Sequence, residues 1–579
     1  MKYKKIIYAL AGLILWVGMN SCKKDLNRLL NNPNAPTPET ADVDLYLNAV
    51  QGNFVQFWSN ASDNGGSLTR QLFWNGPYYR NNFSPNSFDG EWISAYTGVI
   101  KNAQAMIPLA QSQKKYFQSG IARALLAFTL GTLVDDFGDV PYSEANLGLE
   151  ANLNPKVDPG ATAYATAQTL LDSAILDFQK PGAAAGPAND LYYDGDKDKW
   201  ITMAKTLKLK FYMQVRLVDN SAIAKIQELV TENDLIDDPS EDFAFRFGTN
   251  LASPDSRHPH YGIDYPASGG VGEYIGDYFM WMVAAQKYGG NVNLPTNGPA
   301  ATSGDPRLRY YLYRQSTNYA WVDPSVCPCY TTSQYGTAQY PSWYPSVPDQ
   351  TPYCVVGKGY FGRDFGDNSG APPDGNYRTA WGIYPAGGQF DASQGETVQL
   401  IMGGKGAGIS PMWLSSFTAF LLSEAALVLN ITDQGSAREN LQKGVTASID
   451  KVLSFPAAVG VTVPDDKIPS AAQVTNYINL VLSNYDTATT DDSRLNVIMT
   501  EYYLAAWGNG VETYNNYRLT GKPNNMQPAR AVADPGLFMR SFFYPNVYIN
   551  RNSNAPAQKD PGNTADKVFW DNNPDNFIH

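Results

Sequence analysis

Three observations predict a mainly α-helical chain, a helical-repeat scaffold carrying one large loop-rich insertion. Apolar residues recur at helical spacing through the first 240 residues and again after residue 410. Between 241 and 409 that periodicity nearly vanishes, and Gly, Pro, Tyr, Trp and Ser dominate instead. Loops this long are functional or disordered, and richness in aromatics argues against disorder.

Met1-Lys2-Tyr3-Lys4-Lys5 is a basic start, and Ile6 to Val17 an apolar run of signal-peptide length, too short for the roughly 20 apolar residues that span a bilayer. Gly18-Met19-Asn20-Ser21-Cys22 follows, small residues ending on a cysteine in the manner of a bacterial lipobox. Residues 1–21 therefore read as a lipoprotein signal peptide, and Cys22 as a lipidation site that anchors the chain to a membrane. The Asn- and Pro-rich stretch 22–41 reads as a lipid-anchored linker.

Residues 42–240 read as the N-terminal helical-repeat scaffold. Ala122 to Val134 and Ala161 to Phe178 are apolar helices, and Leu207, Phe211, Val215 and Val218 form one stripe. Antiparallel helices joined by short turns point to repeats, without a strict sequence period. Within the insertion, 241–409, only Tyr274 to Tyr288 looks helical. From 410 to 579 helices resume, with Leu414, Phe417, Leu421, Glu424 and Val428 on one stripe, before an Asn- and Pro-rich tail.

Composition narrows the function. A formal charge of -12 and a pI near 4.9 argue against nucleic acid, because phosphate binding concentrates Lys and Arg. Charged residues make up only 17%, which suits a loop-rich extracytoplasmic protein. Cys327, Cys329 and Cys354 allow one disulfide, from Cys354 to either of the others, while a zinc site lacks a nearby fourth ligand.

Catalytic motifs are missing. No G-x-S-x-G, H-E-x-x-H or Walker sequence occurs, and no catalytic residue, metal or cofactor is expected. His258-Pro259-His260 has no carboxylate pair nearby in sequence and reads as a loop. Gly357 to Gly362 matches G-x-G-x-x-G, but Pro372-Pro373 soon follow and no helix can open on it. Asp194-Gly195-Asp196-Lys197-Asp198 starts like a calcium loop, but Lys199 and Lys205 stand where glycine and glutamate are required; Asp198 reads as a helix N-cap. Adjacent Asp135 and Asp136 point about 100° apart on a helix, a poor acid/base pair. Asp364 and Asp367 leave a glycoside hydrolase as a remote alternative, and Glu424 reads as a buried, satisfied carboxyl.

The stretch Arg70 to Phe83 sets five aromatic rings among Asn and Arg, around Asn75-Gly76-Pro77 turn chemistry. Sugars stack axial C–H bonds on flat rings and turn hydroxyls toward amide and charged groups. Trp74, Asn75, Tyr78, Tyr79 and Arg80 fit that need, with Trp321, Trp343, Tyr344 and Trp381 as further ring candidates in the insertion.

Several stretches, in this order, resemble the SusD/RagB family of Bacteroidetes surface lipoproteins: the lipobox at Cys22, Phe137-Gly138-Asp139-Val140-Pro141-Tyr142, and Asp194-Gly195-Asp196 with Lys199-Trp200 and Ala204-Lys205-Thr206-Leu207-Lys208-Leu209. Asp305-Pro306-Arg307-Leu308, Glu424-Ala425-Ala426, Gly510-x-Glu512 and Tyr517 to Pro523 are similar to later family segments, as is Phe542-Phe543-Tyr544-Pro545, where Val547 replaces a glutamate. The resemblance implies tetratricopeptide-like helical units and an outer-membrane location. It also implies a non-catalytic role: binding oligosaccharide, or alternatively peptide, and delivering it to a SusC-like TonB-dependent outer-membrane transporter. The shared motifs look structural, so the ring candidates rest on their chemistry alone.

Overall fold

The computed structural model describes residues 42–76, 78–79, 83–148, 152–183, 185–284, 286–288, 304–316, 355–356, 359–367, 374–529, 535–563 and 566–578. Helices dominate, in the order α1 (Val43–Leu68), α2 (Asp89–Ile93), α3 (Lys101–Ser112), α4 (Tyr116–Phe137), α5 (Gly160–Gln179), α6 (Lys197–Val215) and α7 (Ala222–Glu232). After the insertion come α11 (Ser415–Val428), α12 (Ala437–Ala458), α13 (Ala471–Thr487), α14 (Asp491–Ala505), α15 (Gly510–Thr520) and α16 (Asn546–Ile549). Each long helix packs on a sequence neighbour: α4 on α5, α5 on α6, α6 on α7, then α11 on α12 and α13 on α14. Such local pairing is what a helical-repeat scaffold requires.

Caps explain several boundaries. Asp42 accepts from the Asp44 amide at the start of α1, and Ser436, Ser470 and Thr490 close capping boxes on α12, α13 and α14. The N-cap of α6 is Asp196, accepting from the Asp198 and Lys199 amides, rather than Asp198 as expected, because Lys197 already has helical geometry. Gly521, at φ 68°, ends α15 in the left-handed conformation that glycine adopts without steric cost.

Helix α4 is long and apolar enough to cross a membrane, but its side chains are mostly packed inside, as those of a core helix. The stripe on α6 is buried as far as Val215, whereas Val218 lies past the helix end and is exposed. The two ends of the scaffold meet where α15 packs on α1. A β-carbon on Gly510 would stand 2.0 Å from the Ser62 carbonyl oxygen, so only glycine permits that approach.

The insertion holds α8 (Pro259–Asp264), α9 (Asp277–Ala284), α10 (Leu308–Tyr311) and short strands. Its ends are joined: β1 (Phe243–Arg246) pairs antiparallel with β6 (Ile409–Trp413), so the excursion leaves and re-enters the scaffold at one place. Between them β2 (Leu312–Tyr313) pairs with β5 (Ala380–Trp381), and β3 (Val355–Val356) with β4 (Tyr360–Phe361). The G-x-G-x-x-G match ends at Gly362, just past β4, and opens no helix among the described residues.

Family-type motif residues turn inward. Arg307 pairs with Asp305 at 2.6 Å and donates to the Tyr477 hydroxyl at 3.1 Å, all of it buried. Lys210 lies 3.1 Å from Glu512 and 3.7 Å from Asp135, while Trp570 Nε1 and Asn515 donate to the two Asp135 oxygens. Glu424 is buried as expected and forms an ion pair with Arg216 at the end of α6; burial raises its pKa and the guanidinium opposes that rise.

Candidate functional site

The segment after α1 is held against the insertion by backbone pairing. Leu72 and Ile275 form an antiparallel bridge, Phe73 donates its amide to the Tyr274 carbonyl at 3.0 Å, and Gly276 donates to Gln71 at 3.1 Å. Phe73 and Tyr274 therefore lie side by side, edge to face, with ring centroids 5.5 Å apart.

This junction forms one wall of a pocket of about 510 Å³. Helix α1 contributes Asp63 and Ser67, the following segment Leu72, Phe73 and Asn75, and α8 His260 and Ile263. Gly272, Glu273 and Tyr274 approach from the loop before α9, and Arg363 and Arg378 complete the lining. A larger cleft of about 690 Å³ lies where the 233–239 connection meets α11 and α12, but no aromatic side chain lines it. Convergent rings, an amide and charged groups make the smaller pocket the better ligand site.

His260 organises the rim. Its Nδ1 lies 2.8 Å from Glu273 Oε1 and its Nε2 3.1 Å from Asp63 Oδ1, joining α1 to the insertion. Burial alone would push the imidazole pKa down, but the Glu273 and Asp63 carboxylates outweigh it and hold the group well above its ordinary value. The ring stacks on Trp381 at 4.0 Å; Trp381 stacks on Trp507 at 4.1 Å, and Trp507 on Phe279 at 4.3 Å. That column runs from the pocket into the core and fixes the imidazole plane. Opposite, Arg378 lies 3.8 Å above the Tyr274 ring and pairs with Asp374, which accepts the Tyr274 hydroxyl at 2.7 Å.

Of the residues expected from sequence, Asn75 lines the pocket and is exposed, and Tyr78 is exposed nearby in sequence. Trp74, Tyr79 and Trp381 were expected to offer open ring faces, and the structure corrects this: all three are buried. Trp74 packs edge-on to Phe83 at 4.5 Å and stacks on Phe365; Tyr79 packs on Phe538, and its hydroxyl accepts from Arg70 at 3.0 Å. Trp381 is held between His260 and Trp507. Arg80, Trp321, Trp343, Tyr344, Cys22 and the three insertion cysteines lie outside the described residues.

Sequence reading missed Asp63, His260, Glu273, Tyr274, Arg363 and Arg378 as a group. Two carboxylates do flank His260, Glu273 from 13 residues further on and Asp63 from 197 residues earlier, although no cluster suited to a metal ion occurs among the described residues. Asp364 and Asp367, the hydrolase candidates, are buried, the first accepting from Gln527 at 2.8 Å and the second from Arg363 at 2.7 Å. Sealed in this way, they cannot flank a glycosidic bond in the open pocket.

The architecture is a set of paired helices with a pocket where the first helix meets the insertion. Two family models match the chain: "Starch-binding associating with outer membrane" over residues 33–261 and "Susd and RagB outer membrane lipoprotein" over residues 407–571. The chain belongs to the SusD/RagB family of outer-membrane lipoproteins, whose members bind nutrients such as carbohydrates. No curated protein matches it. Among solved structures it is similar to a chitin-binding protein at 18% identity and TM-score 0.62, covering 92% of this chain and 100% of that one. A chitin-binding SusD homolog from Flavobacterium johnsoniae aligns at 17% identity and TM-score 0.58, covering 91% and 99%. A SusD/RagB-family protein from Bacteroides thetaiotaomicron aligns at 19% identity and TM-score 0.61, covering 92% and 100%. These likenesses establish the tetratricopeptide-like fold.

Proposed function

We propose that this lipoprotein, anchored through Cys22, captures oligosaccharide at the outer cell surface in the pocket between α1 and the insertion. It then passes the sugar unchanged to a SusC-like TonB-dependent transporter. The carrying observation is the pocket itself: Phe73 offers a partly open ring, Asn75 an exposed amide, and Asp63 and Glu273 hydrogen-bonding groups to hydroxyls. Tyr78 adds an exposed ring beside it in sequence. The family descriptions and the chitin-binding neighbours support a glycan as the ligand.

The test fills the pocket without touching the core. Ser67 sits on α1, lines the pocket and is half-buried, and Ser67→Trp projects an indole into the space. Calorimetric titration with chitohexaose and maltohexaose is expected to show binding by the native protein and a loss of at least about tenfold in the variant, with an unchanged melting temperature. Equal binding by a folded variant moves the site elsewhere; binding of tryptic peptides but of neither glycan overturns the sugar reading.

A further inference from the structure

Resting on that reading, we infer that the pocket discriminates by charge, taking amino-sugar chains with free ammonium groups in preference to acetylated or acidic ones, with Asp63 and Glu273 as the specificity-determining residues. The cations of the pocket are withdrawn and committed. Arg363 and Arg378 have side chains only 7% and 10% exposed, paired with Asp367 at 2.7 Å and Asp374 at 2.6 Å. The rim carboxylates are the accessible charges, with side chains 44% exposed for Asp63 and 21% for Glu273.

One imidazole serves both carboxylates. Each gives a single oxygen to His260, at 3.1 Å and 2.8 Å, and the second oxygen of each has no hydrogen bond to any described residue. A protonated His260 balances one negative charge and leaves the other uncompensated at the pocket surface. A glucosamine ammonium matches that excess and donates three N–H groups; the acetamide of N-acetylglucosamine carries no charge, and a uronate is repelled. His260 is the positioning residue, since stacking on Trp381 and two bonds from fixed ring nitrogens determine where the carboxylates stand.

The experiment titrates the purified full chain with chitohexaose, with its fully deacetylated counterpart and with a galacturonic acid hexamer, at mildly acidic pH and at low and high salt. The deacetylated hexamer is expected to bind about tenfold more tightly than the acetylated one and the galacturonate hexamer most weakly, with the preference shrinking in high salt. In Asp63→Asn/Glu273→Gln, which keeps hydrogen-bonding side chains beside His260, the two glucosamine chains are expected to bind within about twofold of each other. Asp63→Asn alone, at a well-exposed position, gives the same test if the double variant melts early. Ser67→Trp supplies the baseline for attraction to a net charge of -12. Equal affinity of the native protein for the two glucosamine hexamers overturns the inference while leaving glycan capture standing, as does a preference that survives in the carboxylate variants. Failure of every hexamer to bind removes the capture reading itself.

Discussion

At the junction of α4, α6 and α15, Asp135, Lys210 and Glu512 are sealed from water, each side chain less than a twentieth exposed. At the pocket, Asp63 and Glu273 remain in contact with it while sharing one histidine. Both clusters join segments distant in sequence. The junction turns its charges toward the chain's own groups: the Asp135 carboxylate accepts from Trp570 and Asn515 and lies 3.7 Å from Lys210, which also faces Glu512. The pocket leaves oxygens over. Full burial against the chain's own groups yields a structural joint, and partial burial with oxygens open to the pocket yields a recognition surface.

The largest expected effect breaks the joint. Lys210→Met removes the cation facing Glu512 at 3.1 Å and leaves buried carboxylates uncompensated, which is expected to cost about 3–5 kcal/mol in denaturant unfolding. Adding Glu512→Gln should recover much of the loss, because the remaining Asp135 keeps its Trp570 and Asn515 donors. A loss below about 1 kcal/mol for the single variant would show that water reaches this junction and that the contrast with the pocket is false.

A smaller, pH-dependent effect lies in the same scaffold. Glu91 on α2 is fully buried, accepts from Asn64 at 2.8 Å and faces Asp136; burial raises its pKa to about 7, against the opposing pull of the Asn64 hydrogen bond. A carboxyl whose folded pKa is raised contributes stability that is complete below its unfolded value and is lost as pH rises through the folded value. Between pH 4.5 and about 7 the native protein should therefore lose about 3 kcal/mol relative to Glu91→Gln, whose amide oxygen accepts the same bond and does not ionise. Parallel stability curves for the two proteins across that range would show that Glu91 is already charged in the fold.

The helices that carry these joints were the legible part of the chain, whereas the joints themselves were not. The apolar stripes of α4, α5 and α11 show in the period of their residues, and the Asp-Gly-Asp motif marks the cap of α6, but the partners of Glu512 and Arg518 lie far away in sequence. The pocket was not legible, because it assembles Asp63 and Phe73, His260 and Glu273, and Arg378 from three separate stretches of the chain, and no local spacing encodes their meeting. Aromatic density in a turn-rich segment also cannot tell a ring that closes a core from one that waits for a ligand. Trp74 is 1% exposed because Phe83 and Phe365 cover it, while Tyr78, four residues on, is 42% exposed.

Tyr78 gives the smallest effect and the finest division between the two regions. Its ring contributes nothing to the core, so Tyr78→Ala should move the unfolding free energy by less than about 0.5 kcal/mol. If the ring covers a sugar face, chitohexaose affinity should fall by about 1 kcal/mol, a fewfold change in Kd within reach of calorimetry. A change in stability without a change in affinity would place Tyr78 with Trp74 as packing and confine recognition to the walls around Phe73 and Asn75. A change in affinity alone would extend the recognition surface outward from the pocket along the turn at Asn75-Gly76.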